Sequence, residues 1–89
     1  MPAAPDLSQR LAAARFRAWH RGTREADLLI GGFFDRFHDE WDERALEWFE
    51  AVLDADEADV MAWAMGAQAP VALEGPQLHA LRRLDYVTR

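Results

Sequence analysis

Residues 21–25, Arg-Gly-Thr-Arg-Glu, carry the densest recognition chemistry in this chain. Arg21 and Arg24 flank the glycine, and each can offer a bidentate fork to a carboxylate or a phosphate. Gly22 allows the positive φ of a tight helix end. Taken as the cap of the next helix, Gly22 puts Glu25 at the third helical position, where its carboxylate can return to the capping N–H. Thr23 is the other candidate for that cap. On residue chemistry alone, a plain helix–helix corner with solvated arginines is the more economical reading.

The remaining candidates are weaker. Residues 54–59, Asp-Ala-Asp-Glu-Ala-Asp, suggest a calcium loop, but the fifth position is Ala58 and the sixth, where glycine is needed, is Asp59. Helix caps and solvated surface charge account for them better. His20, His38 and His79 are scattered, and no metal site is expected. Among 16 acidic residues no pair stands out as a general acid–base couple, so a carboxylate hydrolase has no support. There is no Cys and no Lys, and the hydroxyl side chains are Ser8, Thr23, Tyr86 and Thr88. Disulfides, thiolate chemistry, Schiff bases and the phosphate-loop lysine are thereby excluded. No catalytic residue is expected, and the chain is read as a non-enzyme.

Five short helices must position these residues. The first runs from a cap at Asp6 or Ser8 to about His20, with Leu7, Leu11, Ala14 and Ala18 on one stripe and Phe16 and Trp19 off it. The second runs to about His38, with Ile30, Phe33, Phe34 and Phe37 in helical register. Gly31 and Gly32 inside it cost ~1 kcal/mol each relative to Ala, which points to close backbone approach or a bend. Asp42 caps a third helix over about 43–54. Asp56 caps a fourth over about 57–65, with Asp59 completing a box-like arrangement and Gly66 closing it. Residues 67–74 read as a loop, and Pro76 opens a fifth helix. Phe33, Phe34, Phe37 and Phe49 are assigned to the core. Trp63 is placed at an edge, because its N–H needs a partner. Phe16, Trp19 and Trp48 are the expected exposed aromatics. No segment alternates as a half-buried strand does. The expectation is an all-α, compact bundle of five short helices forming one domain over residues 1–89, with 1–6 frayed.

Charge narrows the partners. The chain is 89 residues long with a formal net charge of −6, which argues against nucleic acid. Residues 7–24 hold five Arg and no acid, whereas residues 35–59 hold eleven acids and two Arg. One cationic end beside an anionic middle suits a protein partner approached in a single orientation. No apolar run approaches the ~20 residues that cross a bilayer, so no direct membrane insertion is expected. The opening MPAAPDLSQR lacks the hydrophobic segment of a secretory signal. A bacterial cytoplasm is the expected compartment.

With these residues in place, the chain resembles the FAD assembly factors of succinate dehydrogenase. The resemblance rests first on Arg21, Gly22, Glu25, Asp27, the aliphatic run 28–30, Phe33 and Phe34. A second set follows in order: Leu53, Asp54, Asp56, Asp59, Val60, Trp63 and Gly66. The segment before Arg-Gly is commonly more basic in that family than the Ala-Trp-His found here. The resemblance implies a five-helix factor that binds the flavoprotein subunit of succinate dehydrogenase, and often that of fumarate reductase. Such a factor promotes covalent attachment of FAD by holding the flavoprotein in a competent conformation. It further implies that FAD is carried by the partner, with no cofactor bound by this chain. Arg21, Gly22, Arg24, Glu25, Asp27 and Trp63 become the expected partner contacts. Apart from the resemblance, the alternatives are a generic acidic helical adaptor, an antitoxin-like regulator, or a small helix-turn-helix DNA binder that the net charge opposes.

Overall fold

A computed structural model of the chain describes residues 6–87. The helices are α1 (Leu7–Trp19), α2 (Arg24–Phe37), α3 (Glu43–Asp54), α4 (Glu57–Ala64) and α5 (Pro76–Arg83). Single 3₁₀ turns lie at His38–Glu40 and Val71–Leu73, the second within the expected loop. No strand occurs among the described residues, and the all-α bundle is as the sequence implies. Residues 1–5 of the expected frayed terminus lie outside the described residues. Asp6, grouped with them, is instead well tied. Its Oδ1 accepts the Gln9 N–H at 2.8 Å, and Gln9 Oε1 accepts the Asp6 N–H at 3.0 Å. This reciprocal box satisfies two donors at the helix start.

The core is built around α2, whose Ala26, Leu29, Ile30, Phe33 and Phe34 are all buried. Phe33 sits at its centre, with its ring centroid 4.9 Å from Phe37, 6.0 Å from Phe49 and 5.3 Å from Tyr86 in an edge-on contact. Leu46, Phe49, Val52 and Leu53 of α3 close the opposite wall. Phe37 is only partly buried, since it ends α2 and lies at the rim under the Arg36 guanidinium, 5.7 Å away. The two glycines of α2 answer to close approach. A Cβ at Gly31 would land in the indole of Trp19, and one at Gly32 would lie 3.3 Å from the Tyr86 carbonyl oxygen.

Several expectations for tryptophans and caps change. Trp19 lies flat against Gly31 and is half-buried, not exposed. Trp48 is also half-buried, because its Nε1 donates to the Leu73 carbonyl at 2.7 Å and draws the second 3₁₀ turn onto α3. Trp63 belongs to the core rather than its edge. Asp42 caps α3 as expected, accepting the Ala45 N–H at 2.9 Å. Asp56 precedes α4, but its side chain accepts no capping bond, so the arrangement with Asp59 does not form. The α3–α4 link is only two residues long, and Ala55 N–H bonds back to Val52 O at 3.1 Å. That tight link fixes the backbone of Asp56 and leaves its carboxylate in water.

Candidate protein-interaction site

The Arg-Gly corner joins α1 to α2. α1 stops at Trp19, and His20 and Arg21 lead into Gly22 at φ +111°. That angle is beyond the reach of ordinary side chains. A Cβ there would meet nothing within 4 Å, so backbone angle and not space requires the glycine. Thr23 is the cap of α2, its Oγ1 accepting the Ala26 N–H at 3.2 Å. Glu25 is therefore the second helical residue, and the expected box with Gly22 does not form. The hydroxyl of Thr23 reaches the orphan donors directly and leaves Glu25 with no capping task. The acid that ties the corner is Asp27, whose Oδ1 accepts the Arg21 N–H at 2.6 Å. Spacing rules gave no signal for this bond, which spans six residues around a non-helical turn.

Arg21 does not project outward as its sequence context suggests. Its Nη1 donates to the Leu53 carbonyl at 2.9 Å, and its Nη2 lies 3.5 Å from that of Ala55. The last carbonyls of a helix lack intrahelical donors, and a planar guanidinium can serve two at once. Arg17 pairs with Asp54 of the same link at 2.7 Å. Arg10 reaches Glu50 at 2.6 Å and Glu43 at 3.2 Å. The hydrogen bonds it donates to Glu50 help hold the Arg10 guanidinium above its ordinary range. Three of the five arginines in residues 7–24 are thus spent on α3. Arg15 and Arg24 remain, exposed and without a hydrogen-bond partner among the described residues. The cationic end foreseen from composition shrinks to these two.

Two adjoining depressions follow from this arrangement. One, of about 520 Å³, is lined by Arg15, Phe16, Trp19, His20 and Asp35. The other, of about 550 Å³, adds Gly22, Arg24 and Leu28, and shares Trp19 and His20. Phe16 is 65% exposed and stacks on the His20 ring at 4.1 Å. His20 Nδ1 donates to the Phe16 carbonyl at 2.6 Å, fixing the pair. Trp19 Nε1 donates to Asp35 at 3.2 Å. The Phe16–His20 stack was not among the expected contacts, although Phe16 off the apolar stripe was the signal for it.

Of the six expected contacts, Gly22, Arg24 and Glu25 are exposed, Arg21 and Asp27 are half-buried, and Trp63 is buried, with 9% of its surface exposed. Arg24 and Glu25 open in different directions. Arg24 joins the aromatic depression, whereas Glu25 lines an apolar one with Leu29, Met61, Leu84 and Val87. The Trp63 carbonyl accepts Arg82 Nε at 3.0 Å, a second arginine closing a helix end. Among the described residues, no group of three or more His, Asp or Glu side chains is placed to hold a metal ion. No described helix is long and apolar enough to cross a membrane.

Known proteins provide a comparison for this architecture. The chain is similar to the FAD assembly factor SdhE of Acetobacter pasteurianus (strain NBRC 105184 / IFO 3283-01), at 36% identity over 61 residues. The match covers 68% of this chain and 56% of that protein, so it spans little more than half of the relative's length. No solved structure matches the chain significantly. A family model described as the flavinator of succinate dehydrogenase matches residues 12–85, a stretch that contains both the Arg-Gly corner and the acidic α3–α4 link. By that match the chain belongs to the Sdh5 family, the flavinators of succinate dehydrogenase.

Proposed function

We propose that this chain is an assembly factor that binds the flavoprotein subunit of succinate dehydrogenase and promotes covalent attachment of FAD to it. The family match across residues 12–85 carries this reading. The name of the Acetobacter relative supports it. A factor that binds one conformer of its partner more tightly raises that conformer's population, and no chemistry by the factor is needed. On this reading the chain is not an enzyme, the partner carries the FAD, and the work is done in a bacterial cytoplasm. The fumarate reductase flavoprotein is a second proposed partner.

The exposed rim of the corner suits docking. Aromatic rings and an uncommitted guanidinium are the groups enriched at protein interfaces. Gly22, Arg24 and Glu25 offer direct contact, while Arg21, Asp27 and Trp63 act from within. The test is co-expression of the flavoprotein subunit with and without this chain, in a cell lacking its own factor. Covalent flavin is read as in-gel fluorescence of the denatured subunit. A marked rise with the factor is expected, and equal labelling in both strains would sink the proposal.

A further inference from the structure

The corner and the acidic link are one mechanical unit. Leu53, Asp54 and Ala55 are all held from the other side: Leu53 and Ala55 by Arg21, and Asp54 by Arg17. Arg21 is held in turn through its own N–H by Asp27. To meet a partner, the Arg21 guanidinium would have to abandon two part-buried carbonyls at the end of α3, and an acceptor left unpaired is costly. Arg24 has no such ties. It is exposed, makes no hydrogen bond among the described residues, and stands beside Gly22, where no side chain obstructs approach.

Resting on the function proposed above, we infer that Arg24 is the cation this corner presents to its partner, whereas Arg21 is a positioning residue that pins the corner to the α3–α4 link. The matching surface carries a carboxylate for Arg24 and an apolar side chain for the exposed Phe16–His20 stack. Charge complementarity supports an acidic contact at this place. The chain as a whole carries a net charge of −6 and repels anionic surfaces elsewhere. Most other described arginines are engaged: Arg82 with the carbonyls of Trp63 and Ala67, Arg83 with Asp85, and Arg36 over Phe37. Arg44 is exposed and unpaired among the described residues, but it stands on α3 beside Asp42 and Glu47, away from the corner. Arg15, the uncommitted cation of α1, borders the same aromatic surface and extends the cationic rim.

The test has two arms. Urea unfolding of the isolated chain reads the clamp. Arg21→Ala should lower the midpoint, Arg21→Lys should recover part of the loss through a single donor, and Arg24→Ala should leave the midpoint unchanged. Calorimetric titration of the flavoprotein subunit over a range of salt concentrations reads the contact. Arg24→Ala should weaken binding ~10-fold at low salt and flatten its salt dependence, as loss of an interfacial charge does. Arg21→Ala should keep the wild-type salt dependence, and any affinity it loses should return in Arg21→Lys. Wild-type binding by Arg24→Ala would overturn the inference. So would an Arg21→Ala variant that unfolds normally but loses its salt dependence. If the wild-type chain does not bind the subunit, the proposed function falls and the Arg24 assignment with it, while the urea arm still decides the role of Arg21.

Discussion

At Gly22 the backbone angle, not crowding, is what a substitution must contend with. Replacement by Ala should cost ~1–2 kcal/mol, the penalty for a side chain held at positive φ. Gly22→Arg should cost a similar amount and stay helical, because nothing within 4 Å blocks the new side chain. Circular dichroism and urea melts of the two variants check this. A much larger loss for Arg than for Ala would mean the corner is tighter than it looks. Glu25 and Asp27 also exchange the weights that their spacing suggests. Glu25→Ala should lose only ~0.5 kcal/mol, the worth of an exposed charge near a helix N-terminus. Asp27→Ala should lose ~1–3 kcal/mol by leaving the Arg21 N–H unpaired. Melts that rank the pair the other way would restore Glu25 as the tie. Tyr86 gives a pH dependence. Burial, helped by the charge of Asp85, pushes its phenol well above the ordinary value near 10. Below that pH folded and unfolded chains are both protonated, and Tyr86 adds no pH dependence. Above it the unfolded chain ionises first, so stability falls as pH rises, by up to ~1.4 kcal/mol per unit. With one Tyr, no Lys and no Cys, hardly any other group titrates there. Urea midpoints between about pH 9 and 11.5 should fall for the wild type and stay nearly flat for Tyr86→Phe. Parallel slopes would count against the assignment.

Helix packing turns on two small contacts that charge and periodicity do not report. α1 crosses α2 where Gly31 makes room for the Trp19 indole, which Asp35 then holds by its Nε1. Gly31→Ala should cost ~1–3 kcal/mol, the usual result of overpacking a contact that cannot yield, despite the gain in helix propensity. Gly32→Ala should be milder, since the neighbouring Tyr86 carbonyl lies at 3.3 Å and need move only slightly. Thermal melts of the two variants decide the order, and a stabilised Gly31→Ala would show that Trp19 swings away freely. α1 meets α3 through arginine–carboxylate pairs instead. The Arg17–Asp54 pair is solvent-facing and worth ~0–1 kcal/mol, whereas the Arg10–Glu50 pair is half-buried, so together they set the helix pairing more than they hold the fold together.

Over the whole molecule, most of the cationic stretch before Gly22 is spent inside the chain, while most of the acids stay in solvent. Arg10 and Arg17 of α1 pair with acids of α3, and what remains outward near the corner is a small cationic, aromatic rim on an acidic body. That shape favours one orientation of approach by a partner. Among the described residues there is no βαβ unit or glycine-rich turn to receive a dinucleotide. The purified chain is therefore expected to be colourless and to bind FAD no more tightly than about millimolar, on a scale where micromolar binding needs ~8 kcal/mol. Calorimetric titration with FAD checks this, and a micromolar constant would require a cofactor role for the chain itself.

Sequence alone determined the helices, because period, caps and breakers are local. The aromatic spacing of α2 found its buried face, Asp42 was legible as a cap and Thr23 as one of two candidates, and Gly22, Gly66 and Pro76 marked helix ends. The family was legible as well, from the order of the Arg-Gly corner and the acidic link. Tertiary structure decided which groups those residues meet. No spacing rule connects Arg21 to the carbonyls of Leu53 and Ala55, since these acceptors are backbone atoms more than thirty residues away with no identity in the sequence. For the same reason Trp48, read as exposed, is held to the Leu73 carbonyl, and Trp63, read as an edge, lies inside. Side-chain type fixes what a group can bond to, but only the packed chain fixes which backbone ends are left wanting a donor, and in this protein the arginines go to them.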